Sequence, residues 1–193
     1  MKRNILTLII AVFALTQAAA QTYDNLWKQA DIIARKDQPR SEIGVMKKII
    51  SKASAAKDYG QLMAAEMRQM ILWKEISADS LTPNVERMEA EVLKVKDPAL
   101  KAVRYAVLGK VYSDMDEKKS EEFFKKALQQ PELLAKHTST EYVPLTLKGV
   151  DGSSFNNDLL HLIGFEADSK EAYHLLYTYY NKVGNRGAAC LCA

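Results

Sequence analysis

From Tyr23 onward, apolar side chains return every three or four positions, the period of a helix laid on a core and not of a strand. Leu26, Trp27, Ala30, Ile33 and Ala34 make the first such stripe, over 23–36. Asp37-Gln38-Pro39 interrupts it. Proline suits the first turn of the next helix, and Glu42 falls near its positive end. That second helix is predicted to run to about Ala56, with Ile43, Met46, Ile49, Ile50 and Ala53 inward. Asp58 is placed to cap a third helix, Tyr59 to about Ile76, which carries Leu62, Met63, Met67, Met70 and Trp73. Ser77 to Pro83 reads as a turn-rich joint. Val85, Met88, Val92 and Val95 form the stripe of a fourth helix, and Asp97-Pro98 ends it while starting a fifth. The expected class is all-α.

The fifth and sixth helices carry an internal pattern. Tyr105, Leu108, Gly109 and Tyr112 are spaced like the first helix of a tetratricopeptide repeat, and Ser120, Phe124, Ala127 and Pro131 like its second, with one residue fewer in the turn. Gly109 is expected to let the two helices approach, with Phe124 and Tyr112 filling the space between them. Tyr173, Leu176, Tyr180, Gly184 and Ala189 repeat the pattern near the end, with Tyr177 standing where a small residue is usual. In that register Ala193 falls in the middle of a second helix, so the chain is expected to stop partway through a repeat, as the start of a longer protein. A terminal capping helix is the alternative, but the apolar, uncharged run from Gly187 to Ala193 lacks the polar outer face of a cap. The expected architecture is a short solenoid of antiparallel hairpins. Its divisions are a leader over 1–20, a hairpin array over 21–135, an irregular insertion with one short helix over 136–168, and an incomplete repeat over 169–193. Within the insertion Tyr142 to Leu147 alternates like a strand, but Pro144 argues against a central one. Asn156 to Gly164 is predicted as the short helix, and the insertion is expected to pack on the concave side of the array.

The first twenty residues have the three parts of a secretory signal: Lys2 and Arg3, an apolar stretch from Ile5 to Leu15, and Ala18-Ala19-Ala20 before Gln21. Cleavage is predicted between Ala20 and Gln21. The stretch is shorter than the roughly 20 residues a bilayer span takes. The chain is therefore expected to be exported, to a periplasm or beyond. It has 27 Lys+Arg against 24 Asp+Glu, and loss of Lys2 and Arg3 would leave 25 against 24. Such balance gives no reason to expect nucleic-acid or membrane attraction by overall charge.

Reactive constellations are sparse. His137, His161 and His174 include no pair at four-residue metal spacing. Asp158 and His161, three apart, are expected to be a hydrogen-bonded surface pair. Cys190 and Cys192 lack two further ligands for zinc and read as helix cysteines that a fuller protein would bury and this stretch alone would expose. Gly149-Val150-Asp151-Gly152 lacks the lysine and helix of a phosphate loop. Glu121 and Glu122 lie among Lys118, Lys119, Lys125 and Lys126 as solvated helix pairs. Met63, Met67, Met70 and Met88 match a core stripe. Tyr173, Tyr177, Tyr179 and Tyr180 have no interleaved cations and suit interhelical packing or a peptide-binding face. No catalytic residue, cofactor or metal is expected.

Two segments carry a resemblance. Tyr23-Asp24-Asn25-Leu26-Trp27-Lys28-Gln29, directly after the leader, resembles the mature start of large alpha-2-macroglobulin-like proteins of Bacteroides-type bacteria, and so does the segment from Asn156 to Gly164. The resemblance runs along this chain but covers only the N-terminal helical region of those proteins. Family members are envelope proteins that trap or inhibit proteases, many through an internal thioester. The thioester motif Cys-Gly-Glu-Gln is absent here, since Leu191 follows Cys190 and Ala193 follows Cys192. The resemblance thus implies a non-catalytic docking or spacing module, partnered by the remaining domains of a longer chain. The alternative is a free-standing exported adaptor that binds a protein or peptide on its concave face.

Overall fold

The computed structural model describes residues 23–77, 79, 81–146 and 149–193. The predicted cleavage point at Ala20 and Gln21 lies outside them. Among the described residues the fold is all-helical, without a β-strand, and no helix is long and apolar enough to cross a membrane. In chain order the helices are α1 (23–34), α2 (Pro39–Ala56), α3 (Tyr59–Ile76), α4 (Leu81–Val92), α5 (Pro98–Tyr112), α6 (Glu117–Ala127), α7 (Pro131–Leu134), α8 (Leu159–Ala167), α9 (Lys170–Lys182) and α10 (Arg186–Leu191). Single 3-10 turns at Ser139–Tyr142 and Gly152–Phe155 lie between α7 and α8.

Local chemistry sets the helix starts. Asp58, Asp97, Asp116, Asp158, Ser169 and Asn185 each accept a hydrogen bond from a first-turn backbone N–H, which satisfies a donor the helix itself cannot. Pro39, Pro98 and Pro131 occupy first turns, where their missing N–H loses no bond. Lys57 takes a left-handed conformation that closes α2 and turns the chain directly into α3.

Three pairs dominate the packing: α2 with α3, α5 with α6, and α9 with α10. The α5–α6 pair is antiparallel. Lys119 near the start of α6 lies beside Tyr112 at the end of α5, and Lys126 near the end of α6 lies over Tyr105, about two turns earlier in α5. A Cβ added at Gly109 would stand 2.7 Å from the Phe124 ring, so hydrogen alone fits there. Ser120 Oγ also donates to the Gly109 carbonyl at 2.8 Å. Phe123, absent from the repeat reading, supplies the second aromatic contact and stacks on Tyr112 and Tyr105.

Two apolar clusters share α3. On one side Leu62, Ala65 and Leu72 meet Tyr23 and Ala30 of α1 and Ile43, Met46 and Ile49 of α2. On the other, Met63 and Met70 join the larger cluster that runs through α4, α5, α6, α8, α9 and α10. Trp27 Nε1 donates to Gln61 Oε1 at 2.7 Å, which ties α1 to α3 as well. Charged groups span the same helix. Glu42 of α2 is buried and bound by Arg68 of α3 at 2.6 Å, and Glu66 of α3 meets Arg104 of α5 at 3.5 Å.

The insertion departs from the expected outline in two places. The predicted short helix begins at Leu159, not Asn156, and runs on to Ala167. Asn156 and Asn157 both sit in the left-handed region, with φ of 57° and 54°, which no helix propagates. The strand-like stretch holds the end of a 3-10 turn and a cis Val143–Pro144 bond.

Candidate functional site

The insertion is anchored by Asp158. The backbones of 137–139 and 157–159 exchange hydrogen bonds, Ser139 N to Asn157 O and Leu159 N to His137 O, both at 2.9 Å. This pinning carries Asp158 into the interior, where it is 3% exposed. Its carboxylate accepts from the His161 backbone N–H at 2.8 Å and from the Tyr180 hydroxyl at 2.8 and 2.9 Å. One side chain thus caps α8 and holds α9. Burial raises the Asp158 pKa above the usual carboxylate value, and those hydrogen bonds partly offset it. Burial and the adjacent carboxylate raise Tyr180 far above an ordinary phenol.

The Asp158–His161 surface pair expected from spacing is corrected here. Both residues are buried, and the ring of His161 does not meet the carboxylate. It stacks on Phe155 with centroids 4.0 Å apart and planes 4° apart, and meets Phe165 edge-on at 4.4 Å. Neither ring nitrogen has a hydrogen-bond partner of ordinary geometry. Burial lowers the His161 pKa, only partly countered by the Val150 backbone and Asp151. His161 is therefore an uncharged aromatic filler at neutral pH.

This anchored segment closes one wall of an apolar groove. Met67 of α3, Val103 and Ala106 of α5, Leu145 of the insertion, and Leu162 and Ile163 of α8 border a cavity of about 380 Å³. Lys110 Nζ and Glu166 Oε1, 2.5 Å apart, form a polar rim. Thr146, the hydroxyl in the lining, donates to the Ser139 carbonyl. A surface of this kind can receive apolar side chains from a partner and bind a flanking polar group at the rim. A larger cavity of about 630 Å³, between α6 and the start of α9, is bordered by mixed charges including Lys118, Glu121, Lys125 and Glu171.

The positions read from repeat spacing fall into two groups. Tyr105, Leu108, Gly109, Tyr112, Phe124 and Ala127 meet at the α5–α6 contact, with all but Tyr105 buried. Leu176, Tyr180 and Ala189 are buried around α9 and α10. Tyr173 is half-buried, donates to Asp168 at 3.0 Å and contacts Phe165. Gly184, at φ 81°, makes the turn into α10. Cys192 is buried and Cys190 is exposed on the short α10. Burial and the nearby Asp158 push the Cys192 thiol up to about 11. Glu122 and Lys126 form a helix pair at 2.6 Å, whereas Lys119 turns to Glu89 of α4. Met63, Met70 and Met88 are buried, while Met67 borders the groove. Of the histidines, His137 contacts Glu141 at 2.8 Å and His174 is exposed. Among the described residues no group of three or more His, Cys, Asp or Glu is arranged to hold a metal ion.

Spacing missed Phe155, Phe123 and the groove. The signal for the anchor was present, however: Asp158 directly before an apolar run is a helix-start signature. Comparison of the chain with protein-family models, with curated proteins and with solved structures finds no match.

Proposed function

We propose that this chain is a non-catalytic helical-repeat module of a secreted or envelope protein of the alpha-2-macroglobulin-like kind. In this reading α2–α3, α5–α6 and α9–α10 are tetratricopeptide-like hairpins of a short solenoid, exported by the leader, that docks or spaces the domains it serves. The observation that carries an interaction role is the groove between α3, α5 and α8. Its walls are aliphatic, its hydroxyl is engaged, and its one acid–base pair is a closed ion pair at the rim. Such a surface recognises shape and apolar area. The buried ionisable residues nearby support the same reading, because Asp158 and Tyr180 are consumed in holding helices together. The macroglobulin assignment rests on the two resembling segments, the second of which contains that anchor.

The alternative, a free-standing adaptor for a peptide or protein, rests on the same groove without the resemblance. Site-specific photocrosslinking in the native host separates the two. A photoreactive residue at position 106, inside the groove, is compared with one at position 177, on the outer face of α9. Crosslinks from 106 and not 177 to macroglobulin-type domains, lost on adding Glu166→Lys at the rim, are the expected result. Crosslinks from 106 to an unrelated envelope protein select the adaptor. Equal crosslinking from both positions, or none from 106, overturns the groove as the interaction site.

A further inference from the structure

A different surface, on α2, goes beyond that reading. The solvent side of α2 carries Arg40, Lys47, Lys48 and Lys52, and Lys57 follows as its cap. The one acid of the helix, Glu42, is buried and taken by Arg68. The acids of adjoining segments, Asp24 and Asp31 of α1 and Asp37 of the connecting turn, form no ion pair with these five cations, and Asp58 is engaged in capping α3. Lys52 lies over the Tyr23 ring, a contact that leaves its charge uncompensated. By contrast, α6 interleaves its four lysines with Glu117, Glu121 and Glu122.

The shape of this face is equally informative. At 3.6 residues per turn, Gly44, Ser51 and Ala55 form a low central row, with Arg40 and Lys47 along one side and Lys48 and Lys52 along the other. All three central residues are exposed. Gly44 has no internal reason to be glycine, since a Cβ there would meet nothing within 4 Å. Glycine inside a helix is less favourable than alanine. The channel runs about 22 Å along the axis, from Arg40 to Ala55.

We propose that α2 is a docking surface for an acidic α-helix of a partner protein, which lies in the small-residue channel and presents carboxylates to the cations on both sides. Charge complementarity requires an anionic partner. The low row between two raised cationic rows fits a rod better than a flat sheet of headgroups, and the face offers no exposed aromatic or aliphatic side chain larger than alanine for insertion into a bilayer. Binding is dominated by charge and is therefore salt-sensitive.

The test is fluorescence anisotropy of the full chain with a labelled Glu/Ala helical peptide bearing five glutamates along one side. Binding at low salt is expected to weaken at least about tenfold at about 200 mM salt. It is expected to fall by a similar factor in Lys47→Glu/Lys48→Glu, and about threefold or more in Gly44→Gln, which fills the channel. Gln favours helix over Gly, so loss of binding there does not reflect unfolding. The groove variant Ala106→Trp should bind the peptide normally, so failure of this proposal and failure of the groove reading remain separable. Equal binding of a proline-broken peptide of the same charge overturns the proposal. So does binding of phosphatidylglycerol vesicles in place of the helix, or an unaltered affinity in Gly44→Gln.

Discussion

Asp158 concentrates three roles in one carboxylate: it starts α8, bonds Tyr180 of α9, and sits where the insertion doubles back on itself. Asp158→Ala leaves two buried donors without acceptors and should lower urea-unfolding stability by about 3 kcal/mol, with Tyr180→Phe costing about 1–2 kcal/mol. In a double-mutant cycle the two effects should be strongly non-additive, because each removes the same bond. His161 predicts a pH dependence. Its folded pKa lies below the free value of about 6.5, so the neutral ring's contribution is intact above that pH and is lost as pH falls toward the folded pKa. Asp158 acts in the opposite sense at lower pH, since its raised pKa lets the folded state take up a proton first. His161→Phe should therefore flatten the decline in thermal midpoint as pH falls below about 6.5 while keeping the ring stack. At the end of the chain, a thiol reagent near neutral pH should modify exposed Cys190 and spare Cys192 until the protein unfolds, as followed by mass spectrometry.

The contact between α5 and α6 depends on one missing methyl group. Gly109→Ala places a Cβ 2.7 Å from the Phe124 ring and should cost about 1–3 kcal/mol, with part recovered by Phe124→Leu. Elements whose ends are written in local chemistry were legible without coordinates: Pro39, Asp58 and Asp97-Pro98 mark helix starts through proline geometry and capping alone. The start of α8 was less so. Asn156 and Asn157 suit a helix N-terminus as well as a left-handed turn, and the choice between them is made by the backbone bonds to 137–139. The groove was invisible for a related reason. Met67, Val103, Leu145 and Leu162 are far apart in the chain, and periodicity shows which face of a helix is buried but not which helix meets it. The same limit placed His161 at the surface, because it stacks on Phe155, which lies outside its helix and is itself packed against Tyr180 of α9.

The described fold is organised around α3, a helix that packs against apolar clusters on two sides and leaves a strip with Ile71, Lys74 and Glu75 to solvent. Buried residues of α3 face both apolar clusters, which also explains why its hydrophobic stripe is broad and poorly one-sided. Met63→Ala on one side and Leu72→Ala on the other should each cost about 2–4 kcal/mol. Trp27 and Trp73, the chain's two tryptophans, both pack with the α1–α3 cluster and report on that end, while far-UV circular dichroism reports on all helices. Because the clusters share α3, both probes should follow one transition in either variant, and separated midpoints would show two independent units. Met67, which borders the groove, belongs to the same helix whose opposite side seats α2. A wall common to two rooms cannot be shifted for one occupant alone: a small roll of α3 that widens one space narrows the purchase available in the other.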